Sequence, residues 1–164
     1  MNLRFLSLLA GVLLLAACAD TTPTTGGAAG GASASTPSTP SSGSVQPGTE
    51  QDLVQNVGDR VFFDYDKSDI KAEGRQVLQR QADWLKKYSN VTVTVEGHCD
   101  ERGTREYNLA LGERRATAVK KMLVALGVPA SRVSTISYGK ERPAVVGSNE
   151  AAYAQNRRGV TVVN

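Results

Sequence analysis

Hydrophobic and polar positions divide this chain into a leader, a polar stretch and one patterned domain. Phe5 to Ala17 is almost wholly apolar and follows a single positive charge at Arg4. Residues 19–49 hold mostly Ala, Thr, Ser, Gly and Pro, with no aromatic. From about Leu53 the pattern becomes periodic. Val61-Phe62-Phe63 predicts a short apolar strand, and Val91, Val93 and Val95 alternate with Thr92, Thr94 and Glu96 as in a half-buried strand. Ile70 to Tyr88 places Val77, Leu78, Trp84, Leu85 and Tyr88 at helical spacing, with Ser68 or Asp69 positioned to cap the helix. A longer helix runs from Arg105 to Leu126, capped by Thr104 and closed by Gly127, with Pro129 barring continuation. Val133 to Tyr138 and Val160 to Val163 read as two further strands, with a short helix from Glu150 to Gln155 between them. Strands alternating with helices predict an α/β sandwich, its helices on one face of a small sheet. No internal repeat is present.

The apolar leader is shorter than the about 20 residues a spanning helix needs, and its length suits the core of a signal peptide. It ends in Leu15-Ala16-Ala17-Cys18. Small residues leading directly into a cysteine predict a lipobox, with residues 1–17 removed and Cys18 acylated. Such chains hold a protein to a membrane through about 0.8 kcal/mol for each buried methylene. Ala19 follows the cysteine, and a residue other than Asp there fits sorting to the outer membrane; Asp20 stands one position late for the retention signal. With Cys18 acylated, Cys99 is expected as a free, sheltered thiol and not as half of a disulfide. Residues 18–52 are expected to form the lipidated start and a disordered linker, since their composition cannot bury enough apolar surface to offset ordering entropy. A flexible segment of that size spans roughly 30 Å, at about 5–6 Å × √n. Residues 53–164 are near the commonest size of a single domain.

The net charge is +3, with acids and bases interspersed and no basic run beyond pairs such as Lys86-Lys87, which argues against nucleic-acid binding. The stretch with the most chemistry is VEGHCDERGTREYNLALGERRATAV, Val95 to Val119. On the helix, Ala116, Val119, Leu123 and Leu126 form one apolar row, and Leu111, Ala118 and Met122 an adjoining one. Arg115 falls at the edge of that second row. A charge there needs an anion or polar partners, and its planar fork favours a carboxylate. A ligand carboxylate and a structural salt bridge to Asp100 or Glu96 both satisfy that need. Asp100 lies on the turn leaving a strand, where it can receive a ligand ammonium or close an Asx-type turn. Glu96, Asp100 and Asp66 also raise the possibility of paired carboxylates for glycan cleavage, although no nucleophilic triad accompanies them. His98 is the only histidine. Neighbours on a strand point to opposite faces, so His98 and Cys99 cannot share one zinc ion, and His98 reads as a hydrogen-bonded residue at a strand end. Asp64, Asp66 and Ser68 mimic the start of a calcium loop. Asp69 and Arg75 stand where that loop needs Gly and Glu. Neither a metal nor a cofactor is expected.

The Val95–Val119 stretch, together with FFDYDKSDI, LGERRATAVKKML and SYGKERPAVVGSNEAAYAQNRRGV, resembles the OmpA-like domain family over about Val61 to Val163. The resemblance is strongest to its lipid-anchored branch. It implies helices on a mixed four-stranded sheet and a non-catalytic domain that binds peptidoglycan. By the same resemblance, Asp100 and Arg115 grip the amino and carboxylate groups ending the diaminopimelate side chain of the stem peptide. Tyr65 and Asp66 would line that pocket, and Thr104 and Leu111 fall where the family has pocket residues. The family also implies attachment of the outer membrane to the wall from its periplasmic face. Its further implied partner is the periplasmic propeller protein of the Tol cell-division system, bound in competition with the wall.

Overall fold

The computed structural model describes residues 45–164. The signal segment 1–17, the lipidation site Cys18 and the linker as far as residue 44 lie outside the described residues. Ordered packing starts upstream of Leu53. Thr49 caps a short helix α1 (Glu50–Asp52), which continues as a π-helical turn, Leu53–Val57. The buried Asp52 accepts hydrogen bonds from Gly48 N, Asn56 Nδ2 and Trp84 Nε1, each at 2.8 Å. Residues ahead of the expected boundary are therefore fastened to the domain.

Strands β1 (Arg60–Phe62), β2 (Val93–His98), β3 (Val133–Gly139) and β4 (Arg158–Val163) form one sheet in the order β1-β4-β2-β3. β4 runs antiparallel to both β1 and β2, while β2 and β3 are parallel. The sheet is mixed and four-stranded, as the resemblance implied. Helices α2 (Ala72–Lys87) and α3 (Arg105–Ala125) pack against it, and α4 (Glu150–Asn156) precedes β4. The core they enclose centres on Leu53, Val61, Phe63, Leu78, Leu85, Val93, Val95, Ala116, Val119, Leu123 and Val133. Fully burying each such Leu, Val or Phe contributes about 1.5–3 kcal/mol.

Helix ends follow local chemistry where that chemistry is free to act. Thr104 caps α3, its hydroxyl accepting from Tyr107 N, and Gly127 takes φ +96° just past the last turn, as the sequence predicts. The start of α2 differs. It begins at Ala72 after Lys71, and neither Ser68 nor Asp69 caps it. Residues 64–71 instead form an irregular loop with a turn from Lys67 N to Asp64 O and an Asp64–Lys71 ion pair of 2.7 Å. Two carbonyls of this loop have long-range partners, described below.

Two glycines let α3 sit directly on the sheet. A Cβ at Gly97 would lie 1.8 Å from the Gly112 carbonyl oxygen, and one at Gly112 would lie 2.3 Å from Ser137 Oγ. Backbone therefore meets backbone where α3 crosses β2 and β3. One helical turn after Gly112 comes Arg115, which that contact brings over the C-terminal end of β2. The β2–β3 register also shifts between Gly97 and His98. This irregularity re-aims the chain as it leaves the strand towards Asp100.

Candidate functional site

At that end of β2 lies a cavity of about 120 Å³. Its lining includes Tyr65, Asp66, Asp100, Leu111 and Arg115, five of the six ligand residues expected from the sequence. Thr104 is the exception. Its hydroxyl is engaged in capping α3 and it does not line the cavity.

Arg115 is wholly buried, with 0% exposure, and not at the edge of the apolar stripe as its helical position suggests. No carboxylate pairs with it among the described residues. Of the two alternatives left open by the sequence, the structural salt bridge to Asp100 or Glu96 is not formed. Its Nε donates to Lys67 O at 2.9 Å, Nη1 to His98 O at 2.8 Å and Nη2 to Asp64 O at 3.1 Å. The Phe63 ring lies 5.2 Å from the guanidinium carbon. Burial lowers the Arg115 pKa, against the opposing influence of Cys99 and Asp100. An arginine remains charged regardless, so the site holds a desolvated cation whose direct hydrogen-bond acceptors are backbone carbonyls. Three of its five N–H groups donate to these carbonyls, and two have no oxygen partner among the described residues.

Asp100 closes an Asx-type turn and also faces the cavity. Its Oδ1 accepts from Arg102 N at 3.1 Å and Arg102 Nε at 3.3 Å, and its Oδ2 accepts from Arg102 Nη2 at 2.6 Å and Arg157 Nη1 at 3.4 Å. Burial pushes this carboxyl up, but the donors from Arg102 and Arg157 together outweigh it and hold the pKa below the usual carboxylate value. Asp66 stands beside it with φ +56°, the one non-glycine residue in the left-handed region among the described residues. Its carboxylate accepts the Tyr107 hydroxyl. Two anionic groups and one buried cation thus border a space large enough for the end of an amino-acid side chain.

Several contributors escape sequence reasoning. Arg102, Tyr107 and Asn108 line the cavity, and Arg157 supports Asp100 from behind. Asn108 is fully sequestered and donates to Arg102 O at 2.8 Å and Thr104 O at 3.0 Å, which fixes the 102–104 turn. An asparagine four residues after a capping threonine is the signal that could have singled it out. Cys99 is free and buried, as expected, with Sγ 3.4 Å from Asn108 O. Burial raises its thiol pKa.

His98 does not line the cavity. Its Nε2 lies 3.3 Å from Glu96 Oε2, but its buried Nδ1 has no hydrogen-bond partner among the described residues, so only half of the expected satisfaction is met. Burial, followed by the nearby Arg158 charge, lowers its pKa from 6.5 to about 4 and keeps it neutral. Glu96 is likewise absent from the lining, so the three carboxylates considered for glycan cleavage do not converge there. Among the described residues no group of three or more His, Cys, Asp or Glu is placed to hold a metal ion. No helix among them is long and apolar enough to cross a membrane.

Residues 62–157 match the OmpA family. A peptidoglycan-associated lipoprotein of Agrobacterium fabrum is 59% identical over 122 residues, which cover 74% of this chain and 69% of that protein. Another from Brucella melitensis is 54% identical over 123 residues, covering 75% and 73% respectively. The crystal structure of the peptidoglycan-associated lipoprotein from Burkholderia pseudomallei superimposes with a TM-score of 0.63 at 42% identity, covering 65% of this chain and 90% of that one. The C-terminal domain of Helicobacter pylori MotB shares the fold, with a TM-score of 0.60 at 23% identity. By the span of the match and the identity to these relatives, the chain belongs to the OmpA family, among its peptidoglycan-associated lipoproteins.

Proposed function

We propose that the domain binds peptidoglycan non-covalently by the free end of the diaminopimelate side chain, and does no chemistry on it. The observation that carries this reading is Arg115, a fully buried cation with no carboxylate partner among the described residues, lining the same cavity as Asp66 and Asp100. The far end of diaminopimelate is a zwitterion. Its carboxylate would take the remaining Arg115 donors and its ammonium would sit against Asp100, with Asp66 and Tyr65 shaping the mouth and Leu111 one wall. A charge-assisted hydrogen bond contributes about 1.5–3 kcal/mol, so each end adds appreciably to binding. The names of the relatives support peptidoglycan as the polymer bound.

In this reading Cys18 carries the lipid anchor, and the chain tethers the outer membrane to the wall from the periplasmic side. As part of the Tol system in cell division, the same face would bind the periplasmic propeller protein in competition with the wall. The test is co-sedimentation of the full chain, in mild detergent, with purified diaminopimelate-type sacculi. Asp100→Asn and Arg115→Lys, checked for folding by circular dichroism, should remain in the supernatant. Folded variants that still sediment would move the wall site elsewhere. A ternary complex of sacculi, propeller protein and this chain would refute the competition.

A further inference from the structure

Asp100 already has a cation in the place the ligand ammonium needs. Arg102 sets Nη2 at 2.6 Å from Asp100 Oδ2 and Nε at 3.3 Å from Oδ1. Its guanidinium carbon lies 4.0 Å from the Tyr65 ring centroid and 4.4 Å from that of Tyr153, at cation–π distance from both. The second arginine on Asp100 differs in kind. Arg157 has a side chain only 8% exposed and is pinned by Phe63 O at 3.0 Å and Glu150 Oε1 at 2.7 Å. The Arg102 side chain is 34% exposed and lines the cavity. Asp100 therefore has one fixed counter-ion behind it and one movable counter-ion in front.

We propose that Arg102 is an internal stand-in for the ligand's ammonium, a latch that must swing off Asp100 before the diaminopimelate end can bind. This inference rests on the proposed function. The motion is confined to the side chain. The backbone of the turn is held by Asn108 on Arg102 O at 2.8 Å and by Lys140 Nζ on Glu101 O at 3.2 Å and Gly103 O at 2.7 Å. A second carboxylate waits for the displaced group, since Arg102 Nη1 lies 3.8 Å from Glu150 Oε2. Swinging off Asp100 thus leaves Arg102 beside Glu150, a carboxylate it shares with Arg157. An Arg102 that moves between Asp100 and Glu150 is a two-state element whose balance sets the apparent affinity. Closed, the latch keeps Asp100 neutralised between encounters; opened by the ligand, it offers Oδ2 to the ammonium.

If the open form is about one tenth of the population, removing the latch tightens binding about tenfold. The test is calorimetric titration of the full chain in mild detergent with a soluble muropeptide ending in diaminopimelate. Arg102→Ala should bind about tenfold more tightly than the wild type. Tyr153→Leu loosens the clamp from outside the cavity and should shift affinity in the same direction. Arg102→Lys keeps the charge but loses the planar fork, and should also tighten binding. If the wild type binds and Asp100→Asn abolishes binding, yet Arg102→Ala is no tighter, the latch is overturned while the ligand assignment stands. Wild-type affinity in Arg102→Lys, with a gain only in Arg102→Ala, would overturn the latch in favour of long-range charge. If neither the wild type nor Arg102→Ala takes the muropeptide, both readings fall.

Discussion

Arg115 and Asp100 line one cavity without pairing to each other. The arginine donates to the carbonyls of Asp64, Lys67 and His98, and the aspartate accepts from Arg102 and Arg157. Their separation has a structural consequence independent of any ligand, because Arg115 ties the 64–67 loop to the end of β2. Arg115→Met is expected to lower the unfolding free energy by about 3–5 kcal/mol, since it leaves three carbonyls without their donor. Urea melts measure this directly. A loss below about 1 kcal/mol would mean that the loop is held by other contacts.

Acid should destabilise the fold through His98. Its folded pKa is lowered from 6.5 to about 4, chiefly by burial. Between those values the unfolded chain binds a proton that the folded chain does not, so this contribution is intact above about pH 6.5 and is lost as pH falls towards 4. The loss is about 3 kcal/mol when the histidine alone is considered. Asp100 adds a second loss at lower pH. Its folded pKa lies below the ordinary value, so its contribution is present above that value and disappears as pH falls through the folded one. Urea midpoints from pH 7 to pH 4 should fall for the wild type and stay flatter for His98→Gln once the offset at pH 7 is subtracted. Parallel curves would show that His98 titrates alike in both states.

Thr104→Ala should cost about 1 kcal/mol of stability, the usual effect of losing a helix N-cap, while leaving muropeptide affinity unchanged. The threonine hydroxyl accepts from Tyr107 N and does not line the cavity. Paired urea melts and titrations check this. Weakened binding at unaltered stability would restore the pocket role that the family resemblance implied.

The parts of this fold that were legible in the sequence are those decided within a few residues. Thr104 and Gly127 bound α3 because capping and a positive φ are local demands, and Val93 and Val95 alternate because a strand repeats every two residues. The start of α2 was not legible. Ser68 and Asp69 are good caps in isolation, but the loop before Ala72 is shaped to present the carbonyls of Asp64 and Lys67 to Arg115, roughly 50 positions away in sequence. The partners of Arg115 were missed for a related reason. Reasoning from side chains looks for a carboxylate, and every acceptor Arg115 uses is a backbone oxygen. Arg157 was invisible as a neighbour of Asp100 because β4 had to be placed beside β2 first, and periodicity carries no strand order.

Packing of α3 on the sheet should prove as demanding as the cavity itself. Gly97→Ala puts a methyl group 1.8 Å from the Gly112 carbonyl oxygen, where only backbone can move. Gly112→Ala meets Ser137 Oγ at 2.3 Å, which a rotation of the serine partly relieves, and Gly97 O at 2.9 Å. Overpacking of this kind typically costs about 1–3 kcal/mol. We expect Gly112→Ala within that range and Gly97→Ala above it. Thermal melts of both variants decide the order, and equal small losses would mean that α3 can lift off β2 without strain.

Ligand discrimination follows from the chemistry of the cavity. A stem peptide carrying lysine retains the side-chain ammonium for Asp100 but lacks the second carboxylate. Arg115 would then face a bound ligand with its two spare N–H groups unanswered, in a position without solvent exposure. Losing one charge-assisted hydrogen bond costs about 1.5–3 kcal/mol, which is roughly ten- to 150-fold in affinity. Soluble muropeptides of the diaminopimelate and lysine types, titrated side by side, should differ by at least tenfold in the wild type. Equal affinity for the two muropeptides in the wild type would remove Arg115 from the ligand site and leave it the purely structural role of holding the 64–67 loop.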